Sequence, residues 1–227
     1  MGEIKTNDMQ EIKNPSLESF RNILPETGIK IADAHNYWVK DFNSLSGYGG
    51  KYNSLEERLK HTPSETNENC EYVGLRGNSF LKPSEKTEKG RAMIELLKEY
   101  GIEGITYKNG EPIFSKCAEV TIAIDHMTEH REDYFENGNK ERGNFSQADI
   151  KCAELWNKQK KDGCTDWTEE KVYDYRKQNK LEWHERCDTK TMDLLKHDIH
   201  EFFKHTGGVY ECRTRDSKEN TGGKFDE

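Results

Sequence analysis

LEWHERCDTKTMDLLKHDIHEFFKHTGG, residues 181–208, is the stretch on which the reading of this chain turns. Four of the chain's eight histidines fall in it: His184, His197, His200 and His205. Leu181 to Glu185 reads as a short strand, Cys187-Asp188-Thr189 as a turn, and Thr191 to Leu195 as a second strand. Asp198 is a candidate N-cap for a helix carrying Ile199, His200, Glu201, Phe202 and Phe203, with Gly207-Gly208 as its stop. Strand, turn, strand and helix make a ββα unit able to hold one divalent cation.

That arrangement suits phosphodiester hydrolysis. The phosphodiester is a poor electrophile, so its cleavage needs an activated water in line with the leaving oxygen. A neutral imidazole on the first strand can take the water's proton, because its pKa lies near physiological pH. A cation held by the helix neutralises charge developing on the phosphate and the leaving oxygen. Imidazole and carboxylate donors suit Zn, Mn, Ni or Mg to differing degrees. Against this, His200 and His205 are five residues apart, not the four that stack two side chains on one helical face. On spacing alone both also fit a solvated helix surface.

The 227 residues are 32% hydrophobic and 34% charged, with a mean hydropathy of -1.09, which predicts a polar, loop-rich globular protein with a modest core. An aromatic content of 10% argues against full disorder. No stretch approaches the roughly 18 apolar residues that cross a bilayer, and no apolar segment of a signal peptide follows Met1. The six cysteines form no CxxC pair and read as free thiols. The net charge of -8 counts against a nucleic-acid ligand, since phosphate neutralisation supplies most of such affinity. A bound cation and local patches offset it, and acidic and basic residues roughly cancel between Trp156 and His205.

Upstream, residues 1–30 read as a flexible lead-in, broken by Asn14-Pro15 and Leu24-Pro25. Trp38, Phe42 and Tyr48 are candidate core anchors. Ser54, with Glu57 three residues on, is a capping box. Arg91 to Tyr100 is an amphipathic helix closed by Gly101. Asn109-Gly110 predicts a hairpin between Ile105-Thr-Tyr-Lys and Glu-Pro-Ile-Phe. Val120 to Ile124 alternates like a strand, residues 130–145 read as a loop, Ser146 opens a helix to about Lys161, and Thr168 caps another. His35, His61, His126 and His130 are scattered singly and read as surface or packing residues.

Trp-His-x at 183–185, Met-x-Leu-x at 192–195, Ile-His at 199–200 and His-Thr-Gly-Gly at 205–208 resemble the WHH group of the HNH/endonuclease VII superfamily. GYGGKYNSLEERLKHTP (47–63), GLRGNS (74–79), GIEGITYKNGEPIFS (101–115) and NFSQAD (144–149) are similar to segments that precede the motif in bacterial polymorphic and contact-dependent toxins. The resemblance implies an α+β fold, a small mixed scaffold followed by a C-terminal ββα-metal nuclease motif. It implies a toxin nuclease domain over 31–208, the motif at 181–208 and a flexible tail at 209–227.

The same resemblance implies DNA as substrate, one divalent ion as cofactor, and a cognate immunity protein as partner. The effector would be delivered, by another segment or machine, into the cytoplasm of a target bacterium. His200 and His205 match the helix-side metal ligands, and His184 the first histidine of the motif. Glu185 stands where a second histidine is expected, and Asp193 where Gln or Asn is usual. The general base is therefore His184 or Glu185. Adjacent strand positions face opposite ways, so only one of these two is expected to face the metal, and His184 is favoured. Asp193 is a ligand, an orienter of the histidine, or a solvated residue. His197 reads as surface. Trp183 reads as core packed against Phe202 or Phe203, with base stacking as the alternative. The rival reading is a non-catalytic, metal-stabilised binding module, or a ribonuclease toxin.

Overall fold

The computed structural model describes residues 48–222. The expected lead-in at 1–30, the anchors Trp38 and Phe42, and His35 lie outside the described residues. The described part is an α+β fold built on small antiparallel sheets.

The first sheet runs in the order β1-β2-β3-β4, from Cys70–Val73, Phe80–Pro83, Ile105–Lys108 and Glu111–Pro112. Helix α1, Leu55–Leu59, carries the capping box: Ser54 accepts from the Glu57 amide while the Glu57 carboxylate accepts from the Ser54 amide. Helix α2 spans Glu88–Lys98, three residues earlier than the periodicity suggests, because Thr87 rather than a later residue caps it by accepting from Gly90 N at 3.0 Å. The β3–β4 hairpin turns at Asn109 and Gly110, with φ of 51° and 79°, the left-handed pair that the Asn-Gly signal requires.

The second sheet runs β5-β9-β8: Val120–Ala123, Thr191–Lys196 and Leu181–Glu185. Two apolar clusters cover it from opposite sides. Met192 and Leu194 join Trp183, Leu181, Val120 and Ile122 against helices α3 (Asn144–Gln159) and α4 (Glu169–Gln178). Leu195 joins Ile199, Phe202 and Phe203 of the other cluster, with Leu97 of α2 and Phe114. Both faces are covered, so β9 is buried continuously from Met192 to Leu195 rather than alternating.

Several sequence expectations give way here. Trp183 does not pack against Phe202 or Phe203: strand alternation turns it toward α3, where its indole N–H donates to Asp149 at 2.8 Å. Residues 134–141 are not loop but a hairpin, β6 (Tyr134–Glu136) and β7 (Asn139–Glu141), turning at Asn137 (φ 49°) and Gly138 (φ 82°). Helix α3 begins at Asn144, two residues before Ser146.

Helix α5 spans only His197–Phe202, its N-cap is Lys196, and Asp198 lies in its first turn, where it meets the positive end of the helix dipole instead of capping it. The helix ends five residues before Gly207, because Phe203 leaves helical geometry (ψ 72°) and is fully buried in the second cluster. Gly207-Gly208 open a helix rather than closing one. Helix α6, Gly208–Gly222, replaces most of the expected flexible tail, and residues 223–227 lie outside the described part. Its buried Glu211 explains the order: the carboxylate accepts from Tyr52 N at 2.7 Å and Asn53 Nδ2 at 3.1 Å, and pairs with Arg58 at 3.4 Å.

All six cysteines are free, as expected from their spacing. No helix among the described residues is long and apolar enough to cross a membrane.

Candidate metal centre

The β8–β9 hairpin sets the position of everything else. Its turn is held by Asp188, whose Oδ1 accepts from Lys190 N and Thr191 N at 2.9 and 2.8 Å. The resulting register pairs His184 with Asp193 and Glu185 with Met192. His184 therefore shares a face with Glu182 and Asp193, turned away from the Trp183 cluster.

The α5 segment and the loop after it bring two more imidazoles to that face. His200 lies on the helix and His205 three residues past its end, so the five-residue spacing is no obstacle: the two never have to share a helical face. One nitrogen from each of His184, His200 and His205 lies within 4.8 Å of the others. Phe114, fully buried, packs against all three rings, with centroids 4.9, 6.1 and 5.7 Å away.

The hydrogen bonds fix which nitrogens are available. His205 Nδ1 donates to Phe203 O at 2.8 Å, leaving Nε2 with its lone pair. Glu182 Oε2 accepts from His200 Nδ1 at 3.2 Å and from His197 Nδ1 at 2.7 Å. The bond from His200, then that from His197, holds the Glu182 carboxyl down to about 2. It is thus ionised, and His200 also presents Nε2. His184 Nδ1 lies 3.0 Å from His205 Nε2, while His184 Nε2 is buried with no partner among the described residues. Burial, then the neighbouring His205 and His200, keeps His184 well below the usual imidazole range, and burial likewise lowers His205 to about 3.

Three imidazoles, two oriented through Nδ1 and one with an orphaned nitrogen, fit a divalent cation. Zn–N bonds of about 2.0–2.1 Å set ligand atoms about 3.4 Å apart around a tetrahedral ion, so the set needs only a small closure. The Glu182–His200 pair is the carboxylate–histidine support typical of metal-bound imidazoles.

Glu185 points the other way along the strand, as alternation requires, toward Asn144 Nδ2 (3.4 Å) and Arg131 Nε (3.4 Å). Yet β8 ends there, and Glu185 and His184 line one cavity of about 160 Å³ together with Arg131, His200, Lys204 and His205. Of the two strand neighbours only His184 is among the clustered metal donors, in line with alternation; Glu185 lines the same cavity without joining them. Burial pushes the Glu185 carboxyl up, and Arg131 opposes that shift.

Asp193 is not part of the cavity. Fully buried, it accepts from Arg186 Nε and Nη2 at 2.6 and 2.7 Å and from Thr121 Oγ1 at 2.5 Å. It is neither solvated nor among the clustered metal donors. His197 is exposed, as read from sequence, but touches Glu182.

Residues 104–207 match the family model of the DNase/tRNase domain of colicin-like bacteriocin. The match supports a bacteriocin nuclease domain over this segment. It covers 104 of the 227 residues and contains Phe114, Arg131, Glu182, Glu185 and all three clustered histidines. No curated protein and no solved structure matches the chain.

Sequence reasoning missed Glu182, Phe114, Arg131 and Asn144. Glu182 was within reach, since period two puts it on the His184 face. Arg131 lies 53 positions before His184 with no local signal, and only the fold brings it in.

Proposed function

We propose that this chain is a metal-dependent endonuclease of the WHH group of the HNH/endonuclease VII superfamily, cutting DNA as the toxic domain of an interbacterial effector. The observation that carries the reading is the convergence of His184, His200 and His205 on one cavity inside the segment similar to a bacteriocin nuclease domain.

A divalent ion (Zn, Mg, Mn or Ni) held by the three histidines supplies positive charge for the scissile phosphate and the leaving oxygen. The role of His184 thereby moves from base to donor. Glu185 takes the proton of the attacking water: of the three carboxylates lining the cavity, Glu182 is held by His200 and His197 and Glu201 by Lys204, and burial makes the Glu185 carboxylate more basic than a solvated one. Arg131 balances Glu185 while the site is free of substrate, and its half-exposed guanidinium can bind a non-bridging phosphate oxygen. Lys204 adds a second cation at the rim. Asp193, through Arg186, braces the hairpin without touching the substrate.

As a toxin the domain needs a cognate immunity protein to protect its producer and a delivery route into the target cytoplasm. A ribonuclease is the second reading, because the matching family model covers tRNases as well as DNases.

The test uses metal-stripped full chain on supercoiled plasmid and on total tRNA, with Mg, Mn, Ni or Zn restored singly. Nicking of plasmid that needs metal and vanishes in His205→Ala is the expected result. Cleavage of tRNA alone would move the substrate to RNA. No cleavage of either, with a metal bound, would favour the non-catalytic module.

A further inference from the structure

The β6–β7 ribbon buries almost none of itself: of its six strand residues only Tyr134 is partly covered. Two-stranded hairpins are marginal alone in water, so its order comes from its root. There Tyr134 stacks on His130 at 3.9 Å, Phe145 N donates to Arg131 O at 2.9 Å, and Gly143 N donates to Asp133 Oδ1 at 3.1 Å. Arg142 pairs with Glu169 at 2.8 Å. Asn144 bonds Thr128 on one side and reaches Glu185 on the other, tying the root to the cavity. This rooted ribbon holds out Phe135, 76% exposed and directly opposite Lys140.

We propose that the ribbon grips the substrate strand beside the cut, with Phe135 stacking on a base near the phosphate bound at Arg131. The proposal rests on the nuclease reading above. Arg131 lines the cavity and Phe135 follows four residues later. Four residues span at most about 14 Å, or about four nucleotide steps at a rise of roughly 3.4 Å, so the ring stays within reach of bases flanking the cut. One isolated ring fits a base better than a protein partner. A stacking contact needs a single aromatic face, whereas a stable protein interface needs on the order of 800 Å² from each partner. The residues beside Phe135 on the ribbon are charged or polar, with no apolar patch around it.

The test compares wild type, Phe135→Ala, Phe135→Trp and the control Leu75→Ala, whose side chain is 72% exposed on another loop. Steady-state cleavage of a labelled duplex oligonucleotide with single-stranded flanks is measured with metal, and binding of the same substrate by fluorescence anisotropy in EDTA. Phe135→Ala is expected to raise KM and Kd about tenfold, within the range for loss of one stacked base, with kcat within about twofold. Tryptophan restores both constants, and Leu75→Ala changes neither. If wild type cuts and Phe135→Ala matches it in KM and Kd, the ribbon proposal fails while the nuclease reading stands. If wild type neither binds nor cuts, both fail.

Discussion

Oε2 of Glu182 lies 3.2 Å from Nδ1 of His200, so a carboxylate two residues before His184 on the same strand face fixes the tautomer of an imidazole on the following helix. The first consequence is quantitative. Glu182→Gln keeps a neutral partner but loses the charge that orients and polarises His200, and metal affinity should fall about 10–100-fold. Isothermal titration of Zn or Ni into the metal-free variant reads this directly, with circular dichroism to confirm an intact fold. An unchanged affinity would mean that His200 is not a ligand.

Glu185→Gln separates base from ligand. If Glu185 takes the proton of water, kcat should drop about 10²–10⁴-fold while metal affinity stays near wild type. Its carboxyl is raised above 4.5 by burial, so wild-type activity should rise with pH through a limb lying above that value. The pH–rate profile of the glutamine variant should lack that limb.

Acid should destabilise the metal-free protein early. His205 sits at about 3 in the fold, against 6.5 when exposed, so the unfolded chain binds more protons in that interval. Stability is therefore fully present above about 6.5 and declines as pH falls toward about 3. At pH 5 the loss from His205 alone is about 2 kcal/mol, and His184, also lowered, adds in the same direction. Urea titrations at pH 7 and pH 5 measure it, and a bound metal, which also requires neutral rings, should raise stability at both pH values without narrowing the difference.

The buried Asp149–Arg176 pair predicts a fold defect remote from the chemistry. Arg176 donates to Asp149 through Nε and Nη2 at 2.7 and 2.6 Å, and Trp183 donates to the same carboxylate. Asp149→Ala strands a guanidinium that is 2% exposed and should cost about 3–5 kcal/mol. The midpoint of chemical denaturation reports it. A cost below about 1 kcal/mol would show that Arg176 finds solvent or another partner.

The ββα order was legible because its signals are local: period two in Leu181–Glu185, an Asx turn at Asp188, and a histidine-bearing helix after β9. The clustering of His184, His200 and His205 followed from that order. The helix end did not, because the exit at Phe203 is decided by its burial against α2 and Phe114, a tertiary effect. Trp183 went to the wrong neighbours for a related reason: alternation gives two faces, and only the placement of α3 says which one the indole meets. The β6–β7 hairpin had its own signal in Asn137-Gly138, the same dipeptide that marked the turn at 109–110, but dense charge around it read as loop. Arg131 and Asn144 belong to the site through long-range contacts that no spacing rule encodes.

Gly207 presses its backbone so closely on the end of β8 that a methyl group there would sit 2.8 Å from Glu185 O, while the same spot lies 3.8 Å from His205 Nε2. The segment bearing one proposed metal ligand and the strand bearing the proposed proton acceptor are thus butted together like parts in a jig. Their separation is set during folding, so on the proposed nuclease reading little reorganisation would stand between substrate arrival and bond cleavage.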